Sequence, residues 1–508
     1  MLLVSALLLI GAIAVTGRIP QQGDHYGFWS VLPPAVAIIL AFATREVVSS
    51  LFIGIALGGV ISGKINIVQE FLIPSIGSPE YGLILLVYLW ALGGLIGLWT
   101  RTGGAQAFAE WAGRLIVVGP RSAKFFAWFM GMIFHQGGTI STVLTGTTVR
   151  PVNDRHRVSH EELSYIVDST ASPAATLIPF NVWPIYVAGL VAGTVPILGT
   201  QGQGMQFFFQ ALPFNFYAIF AILFTLLFSI EVMPFMPGRL WGHLPLVVGR
   251  KMSNAIRRAR ETGALDRPGS DPLTSEELTN VRIVEGYRPG LIGFFGPMGV
   301  LLGVAVLPYS YAFFIKGSDQ PPLYIAEAFL LAVLAGVVIA LIKGMALKTV
   351  MEAIVDGCKG VTIGAIVLAL AVTLKGVAGA VGTAPYIIEV AGGLLSPVIL
   401  PALFLLLCMV IAFSTGTSWG TYAVVFPVAI PLAWAIHPDP TYLKLCFGAV
   451  LGGSVFGDQC SPISDTTILS SLATGSDLMD HVYTQIPLAL TAAGLAGVLY
   501  TIIAAFII

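Results

Sequence analysis

The chain has 508 residues, 56% of them hydrophobic and only 10% charged, with a mean hydropathy of +0.88. About 25% charged residues is usual for a soluble domain, so a soluble fold is excluded. The net charge is −1, from 25 basic and 26 acidic residues, and no Lys/Arg run offers a phosphate track, which excludes nucleic acid as a partner.

Stretches free of Asp, Glu, Lys and Arg run over 25–44, 47–63, 81–100, 125–149, 169–230, 289–315, 390–438 and 481–508. Most reach the roughly 20 residues that a helix needs to cross a bilayer core. The chain therefore reads as an all-α polytopic membrane protein whose first partner is the lipid bilayer. Residues 1–17 resemble the apolar part of a signal peptide, but no positive charge precedes them and no clear small-x-small site follows, so a retained helix is expected. Cys358, Cys408, Cys446 and Cys460 stand singly in or beside apolar segments, without metal or disulfide spacing, and read as packing residues.

In chain order, the reading is N-terminal helices over 1–80, a first repeat over 81–235, a polar loop over 236–288, connecting helices over 289–350 and a second repeat over 351–508. The loop carries eight Arg or Lys between Arg250 and Arg288, which places it in the cytoplasm. The turn Arg150–Glu162, with Arg150, Arg155 and Arg157, is expected on the same side, two crossings away.

The repeat rests on an ordered series of matches. Gly103 precedes Glu110 by seven residues, as Gly382 precedes Glu389. Gly113 lies 25 residues before Gly138, and Gly392 lies 24 before Gly416. Asp168-Ser169-Thr170-Ala171-Ser172-Pro173 then corresponds to Asp458-Gln459-Cys460-Ser461-Pro462. Arg101, Arg114, Arg121 and Lys124 surround the first copy's opening element, whereas 376–396 holds no basic residue. Equivalent loops thus face opposite sides, and the copies are predicted to be inverted.

Each half has a stretch too polar and glycine-rich for an ordinary span, one within about 134–150 and one within about 413–436. Backbone that leaves the helix at membrane depth must line a cavity or be covered by protein, so both stretches read as re-entrant hairpins. Their hydroxyls and loosened carbonyls are hard oxygen ligands suited to an alkali cation. The contacts expected there are Gly138, Thr139, Ser141 and Thr142 in the first hairpin and Thr415, Gly416, Thr417 and Ser418 in the second. The competing reading is that these small residues serve close helix packing.

The densest polar cluster is Gly457-Asp458-Gln459-Cys460-Ser461-Pro462-Ile463-Ser464-Asp465-Thr466-Thr467. Pro462 is expected to break the helix there. Intramembrane carboxylates are costly and point to function, so Asp458, Asp465 and, through the repeat, Asp168 are the candidate cation and proton sites. Ser461, Ser464, Thr466 and Ser172 are their candidate neighbours. Capping is the alternative for Asp465. Lys375, between 15 and 13 uncharged residues, could neutralise a carboxylate or hold an anionic substrate, or else snorkel to an interface. His135 could sense protons or simply be hydrogen-bonded. Glu110 and Glu389 read as capping or anchoring residues.

Enzyme motifs fail. His160-Glu161-Glu162-Leu163-Ser164 lacks a second histidine, Val455 precedes Phe456-Gly457-Asp458 where an aspartyl protease needs glycine, and there is no P-loop. No enzyme and no cofactor are expected.

The Asp458-Gln459-Cys460-Ser461-Pro462-Ile463-Ser464-Asp465-Thr466-Thr467 block, with Gly416-Thr417-Ser418-Trp419-Gly420-Thr421 and with Thr44-Arg45-Glu46 before Leu51-Phe52-Ile53-Gly54-Ile55, resembles the NhaC family of sodium/proton antiporters. The resemblance covers most of the chain. It implies inverted repeats with broken helices, a scaffold plus a moving transport domain, a homodimer, and a bacterial inner membrane. It further implies exchange of Na+ for H+, with a Na+ site at Asp458, Ser461, Gly416 and Thr417. Members of that family also couple Na+ or H+ to small organic anions or amino acids, such as malate with lactate. Many relatives place a small residue where this chain has Lys375, which leaves the cargo open. A buried carboxylate that takes either H+ or Na+, in a carrier that crosses poorly when empty, is expected to yield antiport.

Overall fold

The computed structural model describes residues 19, 21–44, 47–135, 138–232, 249–272, 284, 286–317, 322, 324–391, 396–462 and 464–508. The first apolar segment, Arg45, Glu46, Gly137, Gly392 and Ile463 lie outside the described residues, as do parts of the polar loop and the side chain of Thr139.

Helices account for 80% of the described chain, because apolar segments in lipid must satisfy every backbone group internally. We label them α1 (Leu32–Thr44), α2 (Val47–Ile61), α3 (Tyr81–Thr102), α4 (Gly104–Ile116), α5 (Pro120–Ile133), α6 (Gly138–Arg155) and α7 (His160–Ser169). There follow α8 (Ser172–Leu177), α9 (Trp183–Val191), α10 (Gln201–Ala211), α11 (Phe216–Ser229), α12 (Arg250–Thr262), α13 (Ile292–Ser310) and α14 (Ile325–Ile342). The last are α15 (Leu347–Ala380), α16 (Thr383–Ala391), α17 (Leu400–Thr415), α18 (Ser418–Ile436), α19 (Pro440–Cys460), α20 (Asp465–Thr474) and α21 (Leu478–Ile507). Among the described residues, α3, α13, α14, α18 and α21 are single helices long and apolar enough to span a membrane, and α10 with α11 forms a pair bent by 52°.

Side-chain contacts fix the direction of the elements. The loop helix α12 sits over the starts of α7 and α21. Arg258 pairs with Glu161 at 2.8 Å, Arg260 with Glu162 at 3.2 Å, and Arg267 with Asp480 at 2.9 Å. Buried Lys124, early in α5, reaches both Glu162 and, just past the end of α11, Glu231. Thus α5 and α7 start, and α11 ends, on the loop side. Gly131 of α5 packs on Thr170, so α5 and α7 run side by side away from the loop side. From there α6 climbs back to Arg150, whose guanidinium rests on Gly475 at the end of α20. The α5–α6 pair is therefore a hairpin entering from the loop side, its arms reaching to Pro120 and Arg155 there and to Ile133 and Gly138 at the other end.

The second half runs the other way. Tyr442, at the start of α19, donates to the carbonyl of Pro397, just before α17. Gly453 and Gly457 of α19 pack on Cys408 and Ala412 of α17 at constant offset, so these helices run parallel from the far side. From the left-handed turn at Gly416, α18 returns antiparallel to α19, with Tyr422 Oη donating to the Leu451 carbonyl. The α17–α18 hairpin thus enters from the side opposite the loop, its tip at Gly416–Thr417.

The broken helices obey the same inversion. From the loop side, α7 descends to Asp168, the chain breaks before Pro173, and α8 continues to Thr176, which accepts from Asn215 near the far side. In the second half, α19 descends to Asp458 from the far side, breaks at Ser461–Pro462, and α20 continues to the loop side. The helices α11 and α21 also run in opposite directions, with Tyr500 of α21 donating to the Phe214 carbonyl ahead of α11. The remaining long helices, α1–α3 and α13–α15, pack beside this assembly, with Leu98, Ala340 and Ala353 meeting at one contact between them.

Candidate functional site

Both hairpin tips and both helix breaks meet at Asp458. Close approach of α19 to α17 makes this possible. A Cβ on Gly457 would come within 2.2 Å of the Phe413 amide nitrogen, so only glycine lets the helices touch one residue before the carboxylate. Asp458 itself is 4% exposed. Its Oδ2 accepts from Ser172 Oγ and from Ser418 Oγ, each at 2.9 Å, and its Oδ1 accepts from Ser464 Oγ, also at 2.9 Å. The three donors begin α8, begin α18 and cap α20. Among the described residues no cationic side chain pairs with this carboxylate.

The break after Cys460 leaves the last carbonyls of α19 without helical partners. Thr466 Oγ1 donates to the Asp458 carbonyl at 3.0 Å, and Thr467 Oγ1 to that of Gln459 at 3.1 Å. Gly138, at the first hairpin tip, presses on this layer. A Cβ there would lie 2.5 Å from Ser172 Oγ and 2.9 Å from Thr466 Cγ2. The result is an acidic group ringed by hydroxyl oxygens, the hard donor set that an alkali cation prefers.

Of the residues singled out in the sequence, Asp458, Ser172, Ser418, Ser464, Thr466 and Gly138 come together here. Ser461 is buried at the break, where its carbonyl accepts from the Ser464 amide. Gly416 and Thr417 form the second tip, but the hydroxyl of Thr415 turns back to the Ile411 carbonyl and the Thr417 carbonyl accepts from Thr421. Ser141 and Thr142 are buried on α6, and Ser141 Oγ has no partner. Asp465, in contrast with Asp458, is exposed and begins α20. Asp168 is fully buried, four residues before Ser172.

Lys375 donates from Nζ to the carbonyls of Gly189 and Ala192, at 2.7 and 2.8 Å, and so caps the end of α9. His135 bonds through Nδ1 to the Met132 carbonyl, while its buried Nε2 has no partner. Glu389 pairs with His25 at 2.6 Å and Glu110 accepts from Gln106, both in exposed surroundings.

Several residues were not picked out from the sequence. His481 and Gln485, one turn apart on α21, and Gln459, directly after Asp458, are fully buried and form a second polar cluster around Asp168. For His481 and Gln485, polar side chains within the uncharged 481–508 stretch are the available signal. Trp183 and Trp419 stack with centroids 4.1 Å apart beside Ser418.

Oppositely entering hairpins and antiparallel broken helices that converge on a buried, hydroxyl-ringed carboxylate define a secondary transporter. Residues 175–505 match the Na+/H+ antiporter family, and the chain belongs to that family, whose members are transporters rather than enzymes. An uncharacterized protein of Haemophilus influenzae is 29% identical over 492 residues, covering 94% of this chain and 90% of its own length. The malate-2H(+)/Na(+)-lactate antiporter of Bacillus subtilis is 29% identical over 40% of this chain and 42% of its own length. The Na(+)/H(+) antiporter NhaC of Alkalihalophilus pseudofirmus is 34% identical over 20% of this chain and 21% of its own. These two antiporters are thus matched over less than half their lengths. In fold, the chain is similar to MtrF of Neisseria gonorrhoeae, with a TM-score of 0.56 at 14% identity over 92% of this chain and 94% of that one. It is likewise similar to the YdaH transporter of Alcanivorax borkumensis, with a TM-score of 0.55 at 14% identity over 87% and 89%. The protein is an integral membrane transporter of the cation/proton antiporter class.

Proposed function

We propose that this protein exchanges Na+ for H+ and that Asp458 is the group for which the two cations compete. The observation that carries the reading is the Asp458 carboxylate, buried and held by one serine from the first half and two from the second. A carboxylate removed from water needs a counter-charge or a proton. Na+ would replace the three serine protons at the carboxylate with serine lone pairs, and H+ would neutralise the group outright. Ser172, Ser418 and Ser464 therefore serve as the nearest oxygen ligands, with Ser461 and the Gly416–Thr417 tip beside them. Alternating access follows from movement of the hairpins against the neighbouring helices, exposing the site to one side at a time.

The same proposal places the protein in a bacterial inner membrane, with the basic loop in the cytoplasm and two copies forming a homodimer. The test is Na+-dependent proton movement in proteoliposomes. Asp458→Asn is expected to abolish it, and normal exchange by that variant defeats the reading.

A second reading is coupled transport of a small organic anion or amino acid. It is favoured by Trp183, whose buried indole Nε1 has no partner and which stacks on Trp419 next to Ser418. Such a donor beside a cation site suits a cargo carboxylate. Counterflow with labelled acids and amino acids distinguishes the two, since a simple cation exchanger accumulates none of them.

A further inference from the structure

The loop-side face carries a cleft of about 600 Å3 between α4 and α6, away from the serine cage. The chain around it fixes its position. The carbonyl of Arg101, at the end of α3, accepts from the Val284 amide at the close of the polar loop, and α5 starts among the loop-side ion pairs. Both ends of α4 therefore lie on the loop side, and its 13 residues, about 20 Å of helix, run along that face instead of crossing. Phe108 is buried and stacks on Phe294 with centroids 4.7 Å apart, whereas Trp111 is 45% exposed and Val118, just past the helix, 90%. A helix with one face on the protein and a tryptophan turned outward at a membrane boundary lies at headgroup depth.

The cleft opens beside a direct contact of the two helices. A Cβ on Gly113 would stand 3.5 Å from Val152 Cγ2, so α4 and α6 touch there. Arg114 follows directly, and Arg155 lies three residues, nearly one turn, beyond Val152. Both side chains line the cleft, with the imidazole of His156 beside them. Among the described residues neither arginine has a carboxylate partner, although Arg101, Arg150, Arg258 and Arg260 on the same side each have one. Two like charges on one concave surface repel each other, and an anion between them removes the repulsion. Their planar forks match the oxygens of a phosphate.

The rest of the lining sets the class of anion. Glu110 is the one acidic residue among the described residues that line the cleft, and it accepts from Gln106 Nε2 at 3.1 Å. Two guanidiniums against one carboxylate leave a charge of +1, which a phosphodiester of charge −1 balances and a zwitterionic headgroup does not. The Glu110–Gln106 pair offers an acceptor and a donor to headgroup hydroxyls.

We propose that the cleft between α4 and α6 binds the phosphate of an anionic lipid, of the phosphatidylglycerol type, from the leaflet on the loop side. Arg114 and Arg155 hold the phosphodiester from the two helices, and Glu110 with Gln106 meets the headgroup hydroxyls. The lipid thereby ties α4 to α6, at whose other end Gly138 presses on Ser172 and Thr466. A basic recess at the cytoplasmic boundary is suited to such a headgroup, and the site does not depend on which cargo the protein carries.

The test is the melting temperature of the full chain purified in detergent, titrated with phosphatidylglycerol, with phosphatidylethanolamine and with inorganic phosphate. A ligand that binds only the folded state raises that temperature. Phosphatidylglycerol should raise it in the native protein at concentrations where the other two leave it unchanged. The double variant Arg114→Gln with Arg155→Gln should need about tenfold or more phosphatidylglycerol for the half-maximal rise. Arg121→Gln makes the same kind of charge change at an exposed position outside the cleft, and should need no more than the native protein. An unmoved midpoint in the double variant, or an equal change in Arg121→Gln, means annular lipid or bulk charge only and overturns the proposal. So does an equal rise with phosphatidylethanolamine. A rise with inorganic phosphate that matches the lipid's makes the occupant a free anion and overturns the lipid assignment. If the double variant does not accumulate as folded protein, Arg155→Gln alone decides, compared with Arg121→Gln. No transport enters the readout, so its outcome stands apart from that of the exchange test.

Discussion

Ser172 and Ser418, one from each half of the chain, donate to the same oxygen of Asp458 at the same distance, 2.9 Å. The two inverted units are thus joined at one atom, and a displacement of either hairpin loosens the cage. A hydrogen bond to an ionised group contributes about 1.5–3 kcal/mol. Ser172→Ala and Ser418→Ala should each raise the Na+ concentration for half-maximal exchange about tenfold or more. Sodium titrations in proteoliposomes measure this, and an unchanged half-saturation in both variants removes the serines from the site.

Gly138 has no room for a side chain. An added methyl would meet Ser172 Oγ of one broken helix and Thr466 Cγ2 of the other, and backbone at a hairpin tip has little freedom to retreat. Gly138→Ala is expected to cut exchange at least about tenfold, through a shift of a few tenths of an ångström in the cage, while the purified protein still elutes as a single species. Wild-type exchange by this variant shows that the tip does not bear on the site.

The sequence carried much of this site because its signals are local. Asp458 stands out as a charge between apolar spans, Pro462 announces the break, and spaced glycines mark both tips. Ser172 was legible only through the repeat, by its match to the block around Asp458. Asp465 shows where local reading fails. It lies in the same polar block as Asp458, yet the break turns it to the exposed start of α20. Lys375 shows the same for long-range contacts, since its partners Gly189 and Ala192 lie 186 and 183 residues away. His481 and Gln485 carry no such charge signal, because neutral polar residues do not interrupt a charge-free stretch.

Lys375 leads to a prediction about folding. Its ammonium satisfies two terminal carbonyls of α9 and sits at the negative end of that helix's dipole. Lys375→Met keeps the length but removes the donors, and should lower stability by about 1–3 kcal/mol. Thermal unfolding in detergent measures this loss. Sodium half-saturation should remain as in the native protein, whereas a large change in Na+ or cargo affinity with no change in melting temperature returns Lys375 to the transport route.

The loop network makes stability depend on pH through His160, which lies in the polar turn that the loop covers. Its ring bonds to Asp266 at 2.8 Å and to Asp154 at 3.3 Å. Burial alone would lower the imidazole's pKa, but the two carboxylates outweigh it and raise it from 6.5 to about 9. A group whose folded pKa is raised binds its proton more tightly in the folded state. Its stabilisation is complete below about 6.5, declines as pH rises, and is gone above about 9. His160→Gln should therefore melt on the order of a few degrees below the native protein near pH 6. The gap should close as the native protein loses this contribution at alkaline pH. A constant gap across the range means that the ring contributes packing only, and a gap that widens with rising pH reverses the assigned charge. Exposure of the loop to protease should follow the same curve, because Asp266 belongs to the segment that ties α12 to the starts of α7 and α21.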